Sequence, residues 1–179
     1  MPTREEIWDA GWAGDTQRLR QLAEEGVDFN DRDESGDTPF NTLAMNLCAW
    51  GKPFRYEVVS TLLELGADPN IVNEDGDGVL TTPMLSVDVP MLRMLLEAGV
   101  DANKVPGYDE SESLLDWGIW DYELLYCQSY AEEPCEEEKE DVDKKLAFLD
   151  RMAMKYNCLR PEHLLLLRAY GARSKYELD

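Results

Sequence analysis

The stretch "LLEAGVDAN" at residues 95–103 has near copies in "LLELGADPN" at 62–70 and "LAEEGVDFN" at 22–30. A worn copy, "LRAYGARSK", stands at 167–175. Repetition of one local phrase points to one supersecondary unit used several times. The shared glycines Gly26, Gly66, Gly99 and Gly171 lie 40, 33 and 72 residues apart. A unit of about 33 residues fits the middle gap, with seven extra residues in the first and roughly two units in the last. Upstream of each glycine, apolar residues such as Val58, Val59, Leu62 and Leu63 recur at helical spacing. Glycine just past the last periodic residue is the usual helix stop, because it enters the left-handed region without steric cost. Asp28, Asp68 and Asp101 then follow in segments suited to a turn.

The upstream half of the unit is legible in "SGDTPFNTLAMN" (35–46). A Gly-Asp turn leads to Thr38, a good helix cap, and to Pro39 at the first helical position, where no N–H is needed. "DGDGVLTTPMLS" (75–86) repeats the turn forty residues later, with Gly78-Val79-Leu80 where Thr38-Pro39-Phe40 stood. A turn followed by two antiparallel helices, opened by "TPF", resembles the ankyrin repeat. The resemblance is clear over roughly residues 4–105 and looser over 106–176. It implies an all-α solenoid of about four helix-turn-helix units in a single domain, 1–179. The repeats are expected at about 4–32, 33–72, 73–105 and 106–176. Helix pairs are expected near 4–13 and 16–25, 38–49 and 56–65, 79–86 and 89–98, and 113–128 and 161–170.

Three departures from the pattern stand out. The second repeat carries extra residues at "LCAWGKPFRY" (47–56), the third lacks the Thr-Pro opening, and the fourth is interrupted by an insertion over 127–160. That insertion holds the acidic run "AEEPCEEEKEDVD" (131–143), read as a solvated, mobile loop. Behind it "KKLAFLDRMAMKYN" (144–157) places Leu146, Leu149, Met152 and Ala153 at helical spacing, so an extra helix is expected near 143–156.

With 44% apolar residues in 179, a continuous core is affordable. No apolar run approaches eighteen residues and no secretory segment follows Met1, so a cytoplasmic protein without a membrane partner is expected. Cys48, Cys127, Cys135 and Cys158 have no metal-ligand spacing, and His163 sits in an apolar helix that reads as packing. Neither a phosphate-binding glycine loop nor a nucleophile elbow is present. The expectation is no catalysis, no metal and no cofactor. The formal net charge is −21. Such a chain repels nucleic acid and attracts basic proteins, or is merely kept soluble by its acidity.

The ankyrin resemblance implies a partner-binding concave face, made by the turns and the exposed ends of the first helices. Counted from the terminal glycines, Trp12, Met45, Leu85 and Trp120 fall at one position there. Beside them stand acidic turn residues: Glu34 and Asp37, then Glu74, Asp75 and Asp77, then Asp109 and Glu110. An apolar row rimmed by one charge sign has the composition of an interface. The same large residues would equally serve as core packing. Short acidic proteins with degenerate ankyrin repeats resemble bacterial immunity proteins, which cover a toxin enzyme. The reading is therefore an inhibitor, monomeric when free, that binds a basic protein; the alternative is a general scaffold or adaptor.

Overall fold

The computed structural model describes residues 3–104, 112–128 and 130–178, and the elements among them are all helices. The chain divides into two units, Met1–Val105 and Pro106–Asp179. The first holds three helix pairs: α1 (Arg4–Ala13) with α2 (Thr16–Glu24), α3 (Pro39–Ala49) with α4 (Arg55–Glu64), and α5 (Thr81–Leu85) with α6 (Val89–Glu97). Local signals set their ends. Thr3 caps α1, and Glu6 reaches back to the Thr3 N–H at 2.8 Å, closing a capping box. Thr38 caps α3 through the Asn41 N–H, with Pro39 at the first helical position.

The first helices lie side by side, α1 on α3 and α3 on α5, and α2 packs on α4 behind them. Leu19, Leu22, Phe40, Leu43, Leu62 and Leu92 are buried between the pairs. Each such side chain contributes about 1.5–3 kcal/mol relative to leaving it in water. Gly11 sets the approach of α1 to α3, since a Cβ there would stand 2.6 Å from Leu43 Cδ1.

The recurring "GxDxN" has a physical reason. Asp28, Asp68 and Asp101 each accept from the backbone N–H two residues on, shaping the turn. Asn30 then clamps the next repeat: its Nδ2 donates to the Gly66 carbonyl at 3.0 Å and its Oδ1 accepts from the Asp68 N–H at 2.7 Å. Asn70 binds Gly99 and Asp101 in the same way, at 3.3 and 2.9 Å. Within the first unit, the phrase recurs because each copy holds the next.

In the second unit, α7 (Leu114–Tyr126) packs on α10 (Glu162–Ala169), and α8 (Glu136–Glu140) packs on α9 (Val142–Tyr156); α11 (Lys175–Leu178) ends the chain. Ser113 and Asp116 form the capping box of α7. Tyr122 is buried and donates its hydroxyl proton to the Leu159 carbonyl. His163 is 2% exposed, with its ring 5.9 Å from that of Tyr122, so it does serve as packing.

One expectation is corrected. The acidic run read as a loop contains α8, and it is pinned to α9. Cys135 and Glu138 form a capping box at its start, where acids also suit the helix dipole. Glu137 pairs with Lys144 and Glu138 with Arg151, each at 2.9 Å, while Glu132 pairs with Lys155. The bases of α9 supply the counter-charge that the run lacks by itself.

Candidate protein-binding surface

The turns before α3 and before the third pair are built as matching fingers. Asp33 Oδ1 accepts from the N–H groups of Ser35 and Asp37, and Asn73 Oδ1 accepts from those of Asp75 and Asp77. The Asp33 N–H donates to the Asp37 carbonyl and the Asn73 N–H to that of Asp77. Gly36 and Gly76 take the left-handed conformation each finger needs, at φ 78° and 86°. Neighbouring fingers touch through the Glu74 N–H, which donates to the Ser35 carbonyl at 3.0 Å.

This construction divides the acidic residues into two sets. Glu34, Glu74 and Asp75 stand exposed at the finger tips. Asp37 and Asp77 are half-buried at the finger bases, where Asp37 accepts from Asn73 Nδ2 and its carbonyl accepts from Arg4. Burial, reinforced by the charges of Asp75 and Asp37, raises the Asp77 pKa. The tips offer charge to a partner, and the bases hold the fingers together. Asp109 and Glu110 lie outside the described residues.

On the helix row, Trp12, Met45 and Leu85 are all half-buried, and none belongs to the core. What the structure brings together around Trp12 is aromatic. Trp8 stacks on it at 5.3 Å and 13°, Trp50 meets it edge-on at 6.3 Å and 85°, and Lys52 Nζ lies 4.2 Å above its ring. Trp50 is 72% exposed. Trp8 and Trp50 were absent from the row expected by counting back from the glycines. Counting from the N-caps shows why: Trp12 lies nine residues past Thr3, Met45 only seven past Thr38. Trp8 was detectable as the residue one turn before Trp12. Trp50 belongs to the extra segment 47–56, where no repeat register applies. Trp120 belongs to the second unit, on α7, and is 55% exposed.

The same extra segment anchors itself inward. Arg55 Nε donates to Asp88 Oδ2 at 2.6 Å, and the Tyr56 hydroxyl donates to Asp88 Oδ1 at 2.8 Å. Burial works to raise the Asp88 pKa, but the bonds from Arg55, Tyr56 and the Met91 N–H outweigh it and hold the carboxylate below its ordinary range. Elsewhere burial pushes the Cys48 thiol up, the Cys127 thiol up to about 11, and His163 down to about 4. These thiols are protonated and this imidazole neutral at pH 7. The surface is equipped for contact.

Comparison with known families settles the repeat. Residues 35–74 match the ankyrin repeat. The matched stretch runs from the first finger, through α3 and α4 and the Asp68 turn, to the tip of the second finger. Ankyrin repeats are protein-interaction modules, and the chain carries one with its seven extra residues included. No curated protein matches the chain. Among the described residues, no helix is long and apolar enough to cross a membrane.

Proposed function

We propose that this protein binds a basic protein partner and inhibits it by covering its active surface, as an immunity-type protein does. The observation that carries the reading is that the first unit presents both an exposed Trp50 at the C-terminal end of α3, backed by half-buried Trp12 and Trp8, and acidic finger tips before the N-terminal end of that helix. Trp50 offers an aromatic anchor, and Glu34, Glu74 and Asp75 offer steering charge on a chain of net charge −21. Met45 and Leu85 offer apolar contact on α3 and α5, and Asp37 and Asp77 shape the fingers that precede those helices. Trp120, Asp109 and Glu110 belong to the same reading as further contacts. The protein acts in the cytoplasm, as a monomer until the partner arrives.

The test is binding and inhibition measured together. Partners captured from the native host are to be assayed for activity with and without the protein. Trp12→Ala and Trp50→Ala should each weaken binding by about 2 kcal/mol, as buried aromatic anchors do. Changing the exposed tip residues Glu34, Glu74 and Asp75 to amides should slow association, and the slowing should fade as salt rises. A partner that binds tightly yet keeps full activity would make the protein an adaptor instead. An association rate indifferent to salt and to the amides would reduce the acidity to a solubility device.

A further inference from the structure

The second unit has a surface feature of its own. A groove of about 510 Å³ opens between α7, the α8–α9 corner and α11. Ile119, Trp120, Val142 and Tyr176 give it apolar lining. Trp120 is 55% exposed and Tyr176 94% exposed, in a unit that buries Tyr122 and Phe148. Two large aromatic rings left in water around one concavity form an unfilled contact.

The charge around the rings selects the occupant. Six carboxylates line the groove against Lys139 and Lys145. Both lysines are already held, Lys139 by Glu136 at 2.9 Å and Lys145 by Glu123 at 3.0 Å. Arg168 bridges Asp143 and Glu177, at 2.8 Å to each. Asp141 spends one oxygen on the N–H groups of Asp143 and Lys144. Among the described residues, no ion pair reaches Glu140 or Asp141. An anion or a nucleic acid would be repelled here, whereas a cation meets ring faces and carboxylates together.

We propose that this groove receives an arginine or lysine side chain from a cationic segment of the partner protein. The cation lies against Trp120 and Tyr176, and Glu140 and Asp141 balance its charge. This rests on the reading of a basic partner given above and adds a second, separate point of attachment.

The full chain is to be titrated calorimetrically at physiological salt with a peptide of alternating glycine and arginine. Trp120→Ala and Tyr176→Ala should each weaken the peptide about tenfold, while Trp120→Phe retains most of the affinity and Met154→Ala, at an exposed site outside the groove, changes nothing. Because both rings are exposed, melting curves of these variants should coincide with that of the parent. Glu140→Gln should weaken binding less and flatten its salt dependence. Peptide binding that ignores Trp120 and Tyr176 would overturn the groove while leaving the basic-partner reading standing. Absence of peptide binding to the parent chain would overturn both. Spermine bound as tightly as the peptide, with the same dependence on both rings, would make this a small-cation site and also overturn the proposal.

Discussion

Residues 47–56 and residues 127–160 both lengthen a helix pair, yet they are fixed to the protein by different physics. The shorter segment turns its charge inward: the side chains of Arg55 and Asp88 are only 19% and 8% exposed. The longer one turns its charge outward, in ion pairs such as Lys144–Glu137 and Arg151–Glu138, and buries Leu146, Leu149, Met152 and Ala153 beneath them. The short insertion buries Leu47 and Cys48 at its start, and one desolvated charge cluster anchors its far end. A long one makes its own helix and core.

The largest test of this contrast is Asp88→Ala. It strips Arg55 and Tyr56 of their acceptor and uncaps α6, so urea denaturation should show a loss of about 3–5 kcal/mol. Pairing it with Arg55→Met removes the stranded cation and should recover part of that loss. Glu137→Gln, at the exposed pair on α8, should leave the curve almost unmoved. Comparable losses from Asp88→Ala and Glu137→Gln would erase the distinction.

Acid should separate the two units next. His163 titrates at about 4 in the folded chain because burial disfavours its cation, against 6.5 when exposed. As pH falls below 6.5 the unfolded chain takes up the proton first, so the second unit loses stability until about pH 4, by about 3 kcal/mol. His163→Gln should abolish that slope. In the first unit the Asp88 carboxylate stays charged below its ordinary 3.8, so its contribution persists through this window and fades only at lower pH. Parallel acid curves for parent and His163→Gln would show that the imidazole is hydrated.

These contrasts also explain what the sequence could reveal. Helix ends were legible because Thr38, Pro39 and the terminal glycines act locally. The tryptophan cluster was half legible: Trp12 was found, but Trp50 sits where the insertion breaks the register. The helix α8 was missed because its counter-charges, Lys144 and Arg151, lie on another helix, and acid density alone reads as loop. The cluster at Asp88 was missed for the same reason, since Asp88 and Arg55 meet only after the pairs stack.

Within the first unit the stacking itself is testable. Asn30→Ala and Asn70→Ala each remove two hydrogen bonds to the following repeat. Both side chains are half-buried but their bonds face solvent, so each change should cost about 1–2 kcal/mol. Hydrogen exchange should then quicken at Asp68 or Asp101 respectively, whose N–H groups lose their acceptor. Unchanged protection there would mean that the packed helices, rather than the clamps, hold the repeats in register.

The smallest effect probes how the inward cluster is held. Gly14 ends α1 at φ 74° and hands over to Asp15, which caps α2. Val87 occupies the same place after α5 at φ 55° and hands over to Asp88, which caps α6. The backbone bonds match: Thr16 N–H to the Gly14 carbonyl at 3.1 Å, Val89 N–H to the Val87 carbonyl at 3.0 Å. A β-branched residue in the left-handed region is strained by about 1–2 kcal/mol. Glycine relieves that strain but loses about 0.5–1 kcal/mol of chain entropy on folding, so Val87→Gly should stabilise by about 0.5 kcal/mol net. Such a strained residue persists only where its surroundings dictate the conformation, and here Arg55 and Tyr56 fix Asp88 immediately after it. In the Asp88→Ala background the turn is free to relax, and the gain from Val87→Gly should shrink. Equal gains in both backgrounds, read from paired denaturation curves, would detach the strain at Val87 from the anchor that residues 47–56 provide.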